Sequence, residues 1–185
     1  AAPEIYRKLG TKAQMNPPLR DAAHQNGLWW GLSQGVVDVL GSDHAPHTLE
    51  EKAQSYPASP SGMPGVQTLV PVMLDHVNKG RLSLARFVDL TSAGPQRLFG
   101  MAGKGRIAAG YDADFTIVDL KAERVIEEDW IDSKCGWTPF AGEKVKGWPV
   151  GTVVRGTLAM WEGELGAASG EPVRFGEALP RDPLA

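Results

Sequence analysis

The stretch Gly41-Ser42-Asp43-His44-Ala45-Pro46-His47 gathers a carboxylate and two imidazoles into seven residues. It follows an apolar run, Val36-Val37-Asp38-Val39-Leu40, that reads as a short buried strand. A carboxylate at the C-terminal end of a barrel-type strand is a usual place for a catalytic or metal-binding group. Asp43 and His47 stand four residues apart with Pro46 between them. In an irregular loop both side chains can turn into one cavity, one toward a metal and one toward a ligand. The same residue types also cap helices and turns, so the loop alone leaves both readings open.

Upstream, Asn16 offers a donor and an acceptor from one side chain, and it also suits a turn before Pro17. Downstream, Ser61-Gly62 can present backbone groups to a ligand, because glycine lets the chain approach closely. His47 can donate a hydrogen bond or set a positive charge against an anionic substrate. His44 points away from its neighbour if the backbone is extended, and reads as structural. Arg20 suits either a salt bridge or substrate contact.

Four segments in this order carry a family resemblance. They are Lys12-Ala13-Gln14-Met15-Asn16-Pro17-Pro18-Leu19-Arg20, the Asp-His loop, Pro60-Ser61-Gly62-Met63-Pro64-Gly65-Val66-Gln67-Thr68, and Gly103-Lys104-Gly105-Arg106-Ile107-Ala108-Ala109-Gly110-Tyr111-Asp112-Ala113-Asp114-Phe115. Together they resemble the C-terminal portion of a dihydroorotase of the amidohydrolase superfamily, from about Gly10 to Glu164. The resemblance implies a zinc enzyme with one or two ions, acting on dihydroorotate and N-carbamoyl-aspartate. It implies that Asp43 binds metal and also accepts and returns the proton of the attacking water. It implies substrate contacts from Asn16, His47, Ser61 and Gly62. Ser133-Lys134 and Trp137-Thr138-Pro139-Phe140 resemble a segment shared with allantoinases. Gly136-Trp137 stands where family versions more often carry Asn, a departure expected to leave the catalytic assignment untouched.

Size limits the fold. The chain has 185 residues, and a complete (β/α) barrel takes about 250. Its histidines are His24, His44, His47 and His76, with no His-x-His pair. The family's His-x-His pair, its carboxylated lysine or aspartate and two further histidines would all precede this segment. The chain therefore reads as a C-terminal fragment: a proteolytic product, a truncated form or one half of a nicked enzyme. The missing N-terminal half is its expected partner, within a homo-oligomer.

The expected fold is α/β, the C-terminal part of a TIM-like barrel over 1–100. A small β-sandwich segment follows over 101–166, then a weakly ordered tail over 167–185. Residues 1–9 read as a helical turn, and 16–18 as loop. Asp21 to Gln34 reads as a helix with Leu28, Leu32 and one of Trp29 or Trp30 facing the core. A long loop covers 42–65. Further helices are expected over Val66–Asn78, Ser83–Thr91 and Pro95–Phe99, the last stopped by Gly100. Strands are expected at Phe115–Val118, Thr152–Arg155 and Leu158–Trp161, with exposed edges. His76 reads as structural or surface.

The net charge of −3, with no basic stripe, gives a nucleic-acid role little support. No apolar run is long enough to span a membrane, and the N-terminus shows no charged-then-apolar leader. The single cysteine, Cys135, fits a reducing cytoplasm and reads as a small packed hydrophobe. Two other functions stay in view: an allantoinase or hydantoinase, and a non-catalytic dihydroorotase-like scaffold. The retention of Asp43, His47 and Asn16 argues against the scaffold.

Overall fold

The computed structural model describes residues 2–176. Helices fill the first hundred residues, and those that follow Asp21, Thr48 and Ser83 begin at a side-chain cap. Helix α1 spans Ala2–Leu9, with Glu4 in its first turn and Arg7 and Lys8 in its last, charges that oppose the helix dipole. Helix α2 spans Ala22–Ser33, and the Asp21 carboxylate accepts from the His24 N–H at its start. The loop after it contains a short helix, α3 (Leu49–Lys52), closed by a Thr48–Glu51 capping box. Helix α4 runs over Leu69–Asn78 and α5 over Leu84–Val88, where the Ser83 hydroxyl accepts from the Arg86 N–H. A π-helical turn, Asp89–Ala93, leads into α6, Gly94–Phe99. Gly100, at φ 63°, ends that helix in the left-handed conformation.

Two expectations for this half are corrected. Val36–Leu40 lies outside the regular elements and forms no strand, because among the described residues no segment pairs with it to complete a ladder. It is tied down from one side: the Leu40 N–H donates to the Leu90 carbonyl at 3.0 Å, and Arg86 donates to the Val37 carbonyl. Leu28 does not face the core but is 65% exposed, as Trp30 and Val36 also largely are. Leu32 and Trp29 do pack inward. His76 lies under Trp29, ring to ring at 4.6 Å.

The second half is one open antiparallel sheet of four strands in the order β1-β2-β3-β4: Phe115–Val125, Lys144–Val154, Thr157–Trp161 and Glu164–Leu165. A second layer of strands, as a sandwich requires, is not formed among the described residues; α4 packs on the sheet instead. The two tight hairpins have positive φ at both turn residues, Arg155-Gly156 and Glu162-Gly163, which matches the twist of the paired strands. The outer edge of β1 has no partner among the described residues. Of the 167–185 tail, Arg174 and Gly176 bond to Ala102 and Gly100. Residues 177–185 lie outside the described residues.

Three apolar clusters hold these parts together. Leu32, Met73, Leu74, Leu82, Phe87 and Leu90 join the helices and meet Val118 and Leu120 of β1. Ile126, Val145 and Trp148 form a second cluster, which Val72 of α4 covers. Ala13, Met63 and Trp137 form a third, with Cys135 packed beside them. The seam between α4 and β2 is fixed by Asn78, whose side-chain amide donates to the Leu120 and Lys146 carbonyls at 3.2 and 2.8 Å. It is also fixed by Gly147, at φ 102°, where a Cβ would come 2.6 Å from the Leu74 Cβ.

Gly147→Ala therefore forces α4 off the sheet and strains the backbone as well. The expected loss is about 2–4 kcal/mol in denaturant unfolding of the intact protein. A loss below about 0.5 kcal/mol would show that the seam is loose.

Candidate functional site

The site is built from two loops that lie flat against each other. His44 and Met63 form a parallel bridge, and the Ala45 N–H donates to the Met63 carbonyl at 3.0 Å. This contact is possible only because two residues lack side chains. A Cβ on Gly62 (φ 143°) would stand 2.5 Å from the Ala45 carbonyl oxygen and 3.1 Å from the His47 ring. A Cβ on Gly65 would stand 2.6 Å from the Ser42 carbonyl oxygen. His44 completes the pairing: its Nδ1 accepts from the Gly65 and Val66 N–H groups at 3.0 and 3.3 Å. Its proton therefore sits on Nε2, and the ring serves the loop.

His47 is half-buried and faces the other loop. A carbonyl only accepts, so His47 Nε2–H donates to the Ser61 carbonyl at 3.2 Å. Its Nδ1 lies 3.5 Å from Glu51 Oε2. That carboxylate is held below its ordinary pKa, first by the hydrogen bond from the Thr48 N–H and further by the facing His47. From beneath, the fully buried Trp137 indole donates to the His47 carbonyl at 2.8 Å. The Gly136-Trp137 departure thus lies in direct contact with the His47 main chain. The local sequence gave no sign of this, because the contact spans ninety residues.

Asn16 follows a short 3-10 turn, Gly10–Ala13, and is exposed at the rim of a cleft of about 740 Å³. Tyr6, Thr11, Gln14, Tyr56 and Ser61 line the same cleft. The Gly62 N–H donates to the Gln14 carbonyl at 3.0 Å, joining the Asn16 segment to the Ser61 segment. Asn16 and Ser61 therefore share the cleft; His47 and Gly62 do not line it but are joined to it, His47 through the Ser61 carbonyl and Gly62 through the Gln14 carbonyl. Asp43 is exposed, at φ 46°, and is not among the residues lining the cleft. A left-handed aspartate is uncommon, and such conformations concentrate at functional sites. Arg20 is exposed and makes no ion pair among the described residues.

One residue of this arrangement carried no signal in the sequence. Lys52 is 1% exposed, and its ammonium donates to the carbonyls of Gln14, Pro60 and Gly62 at 3.0, 2.8 and 3.1 Å. Burial pulls its pKa below the ordinary lysine value. In Glu50-Glu51-Lys52 it looks like part of a solvated charged face.

No three His, Cys, Asp or Glu side chains converge among the described residues. A catalytic zinc usually takes three protein ligands. Asp43 suits one of them, and the described residues do not supply the rest.

Residues 14–159 match the amidohydrolase family. A dihydroorotase of Halobacterium salinarum is 46% identical over 167 residues, covering 90% of this chain and 39% of that protein. A dihydroorotase of Pyrococcus furiosus is 44% identical over 158 residues, covering 85% and 36%. Among solved structures, the L-hydantoinase (dihydropyrimidinase) from Arthrobacter aurescens superposes with a TM-score of 0.86 at 36% identity, over 90% of this chain and 38% of that one. A D-hydantoinase (dihydropyrimidinase) from Thermus sp. gives 0.80 at 34%, over 85% and 36%. The chain thus spans less than two-fifths of each of these proteins.

Trp137→Phe keeps most of the buried surface and leaves the His47 carbonyl without its donor. The expected cost is about 1–2 kcal/mol in denaturant unfolding of the intact protein. An unchanged midpoint would mean that water replaces the indole.

Proposed function

Because this chain belongs to the amidohydrolase family, we propose that it forms the substrate-holding part of a metal-dependent dihydroorotase. The reaction is the reversible hydrolysis of dihydroorotate to N-carbamoyl-aspartate, a step of pyrimidine synthesis in the cytoplasm. In this reading residues 1–100 are the C-terminal part of a (β/α) barrel and 101–166 belong to a small β-domain completed by other strands. The exposed apolar faces at Leu28, Trp30 and Val36, and the unpaired edge of β1, support it. These are surfaces that the rest of a barrel and sheet would cover.

The observation that carries the reading is the meeting of Asn16 and Ser61 in one cleft, with the His47 ring 3.2 Å from the Ser61 carbonyl. The cyclic amide of the substrate needs donors and acceptors at fixed positions, and its carboxylate needs a donor or a cation. Asn16 supplies the first pair, the Ser61-Gly62 backbone adds to it, and the His47 imidazole serves the carboxylate by turning its Nε2–H from the Ser61 carbonyl to the ligand. Asp43 takes the proton of the attacking water and returns it to the ring nitrogen as the C–N bond opens.

A bound metal, one or two zinc ions, supplies an activated water at neutral pH. The described residues offer only Asp43 to it, so its other ligands come from the part of the enzyme that this chain does not span. The 185-residue chain alone is accordingly proposed to be inactive.

The solved hydantoinases favour a second reading, in which the ring substrate lacks the carboxylate. The dihydroorotases are the more similar relatives, at 46% and 44% against 36% and 34% identity, and they favour dihydroorotate. Steady-state kcat/KM of the intact enzyme for dihydroorotate, hydantoin and allantoin separates the two. Dihydroorotate should lead by about 10⁴ or more, since a polar pocket rejects ligands that leave its groups unpaired. Comparable values, or a lead for hydantoin or allantoin, would move the assignment. Asp43→Ala should lower kcat by at least about 10²-fold; a variant that keeps a tenth of the rate would remove Asp43 from the chemistry.

A further inference from the structure

The buried lysine beneath the cleft is not explained by the reaction. Its ammonium has three N–H donors, and three main-chain carbonyls, those of Gln14, Pro60 and Gly62, take one each. No carboxylate pairs with it among the described residues. With all three donors committed and the side chain 1% exposed, it has nothing left to offer a substrate or a reacting atom. Burying a charge without a counter-ion is costly, so the arrangement holds only while the carbonyls stay aimed at it.

The three carbonyls belong to the segments that carry the proposed substrate contacts. Gln14 stands two residues before Asn16. Pro60 and Gly62 flank Ser61 on both sides, so the Ser61 peptide is gripped at each end. The lysine's own backbone is held in turn: the Thr11 hydroxyl donates to the Lys52 carbonyl at 2.5 Å, and the Ser59 hydroxyl at 3.4 Å. Gln14 Nε2 donates to the Ser59 carbonyl at 2.7 Å, closing the network. The capping box of α3 fixes Lys52 relative to His47, which directly precedes the capping Thr48.

We propose that Lys52 is a positioning residue for substrate binding: its ammonium clamps the Gln14, Pro60 and Gly62 carbonyls and so holds Asn16 and Ser61 at the spacing that the substrate requires. The proposal rests on the reading of this cleft as the substrate site. The loop carrying Asp43 touches the clamped segment through His47 and has further holds that Lys52 does not make: the His44 ring on the Gly65 and Val66 amides, and the Trp137 indole on the His47 carbonyl. Loss of the clamp should therefore weaken binding while sparing the chemical step.

Lys52→Met removes all three donors, and Lys52→Gln keeps a shorter, neutral amide with two. Both are made in the intact enzyme. KM and kcat for dihydroorotate are measured together with hydrogen exchange of the Gly62 amide, which donates to the Gln14 carbonyl. The expected result for Lys52→Met is a KM raised about tenfold or more, with kcat within about threefold of wild type. Lys52→Gln should fall between. Exchange at Gly62 should quicken about tenfold in Lys52→Met while the amides of the β2–β3 hairpin keep their rates. Unchanged KM in either folded variant overturns the proposal, as does a fall in kcat alone. Loss of folding in both variants also overturns it, since Lys52 would then serve stability only. A wild-type enzyme active on hydantoin and not on dihydroorotate would sink the substrate assignment; the same KM and exchange pattern, read with hydantoin, would still support the clamp.

Discussion

Two glycines set the geometry on which the rest of the site depends. Gly62 and Gly65 let the 60–65 segment lie against the Ser42–His47 loop at distances that no side chain permits. The bridge between His44 and Met63 follows from that approach, as does the reach of His47 to the Ser61 carbonyl. The contact places residues from distant parts of the sequence at one cleft. Without it Asn16, His47 and Ser61 would be three unrelated loop residues.

The support beneath this contact is polar and specific. A loop of some twenty residues has too little apolar surface to fix itself, and its main-chain groups must find partners. Here they find the Lys52 ammonium, the Trp137 indole and the His44 ring. Each satisfies buried or half-buried backbone groups that helix or sheet would otherwise satisfy. The apolar cluster of Ala13, Met63 and Trp137 lies directly below, so the cleft floor is both packed and hydrogen-bonded.

Some elements follow from causes that are local in the sequence. Asp21 and Ser83 cap helices because their side chains reach an N–H three residues on, and Gly100 ends one because it tolerates positive φ. Gly156 turns a hairpin for the same reason. Expectations failed where the cause is distant. Val36–Leu40 has the composition of a strand, but a strand is a relation between chains, and no partner is present among the described residues. Leu28 has the type of a core residue, yet among the described residues nothing packs over it and it is largely exposed. Lys52 and Trp137 act through carbonyls eight to ninety residues away, which no local pattern of sequence displays. The candidate residues Asn16, His47, Ser61 and Gly62 are legible because their order along the chain matches a family pattern, whereas the cleft shared by Asn16 and Ser61 and the bonds that tie His47 and Gly62 to it are visible only in the fold.

The central proposal is that substrate binds in this cleft. A crystal structure of the intact enzyme with N-carbamoyl-aspartate tests that claim most directly. The expected result places a ligand carboxylate and the ureido group within hydrogen-bond distance of Asn16, His47 and the Ser61-Gly62 backbone, with the Asp43 carboxylate facing the ureido nitrogen and the carboxyl carbon between which the ring closes. A ligand bound away from Asn16 and His47, or with Asp43 turned to solvent, would contradict it.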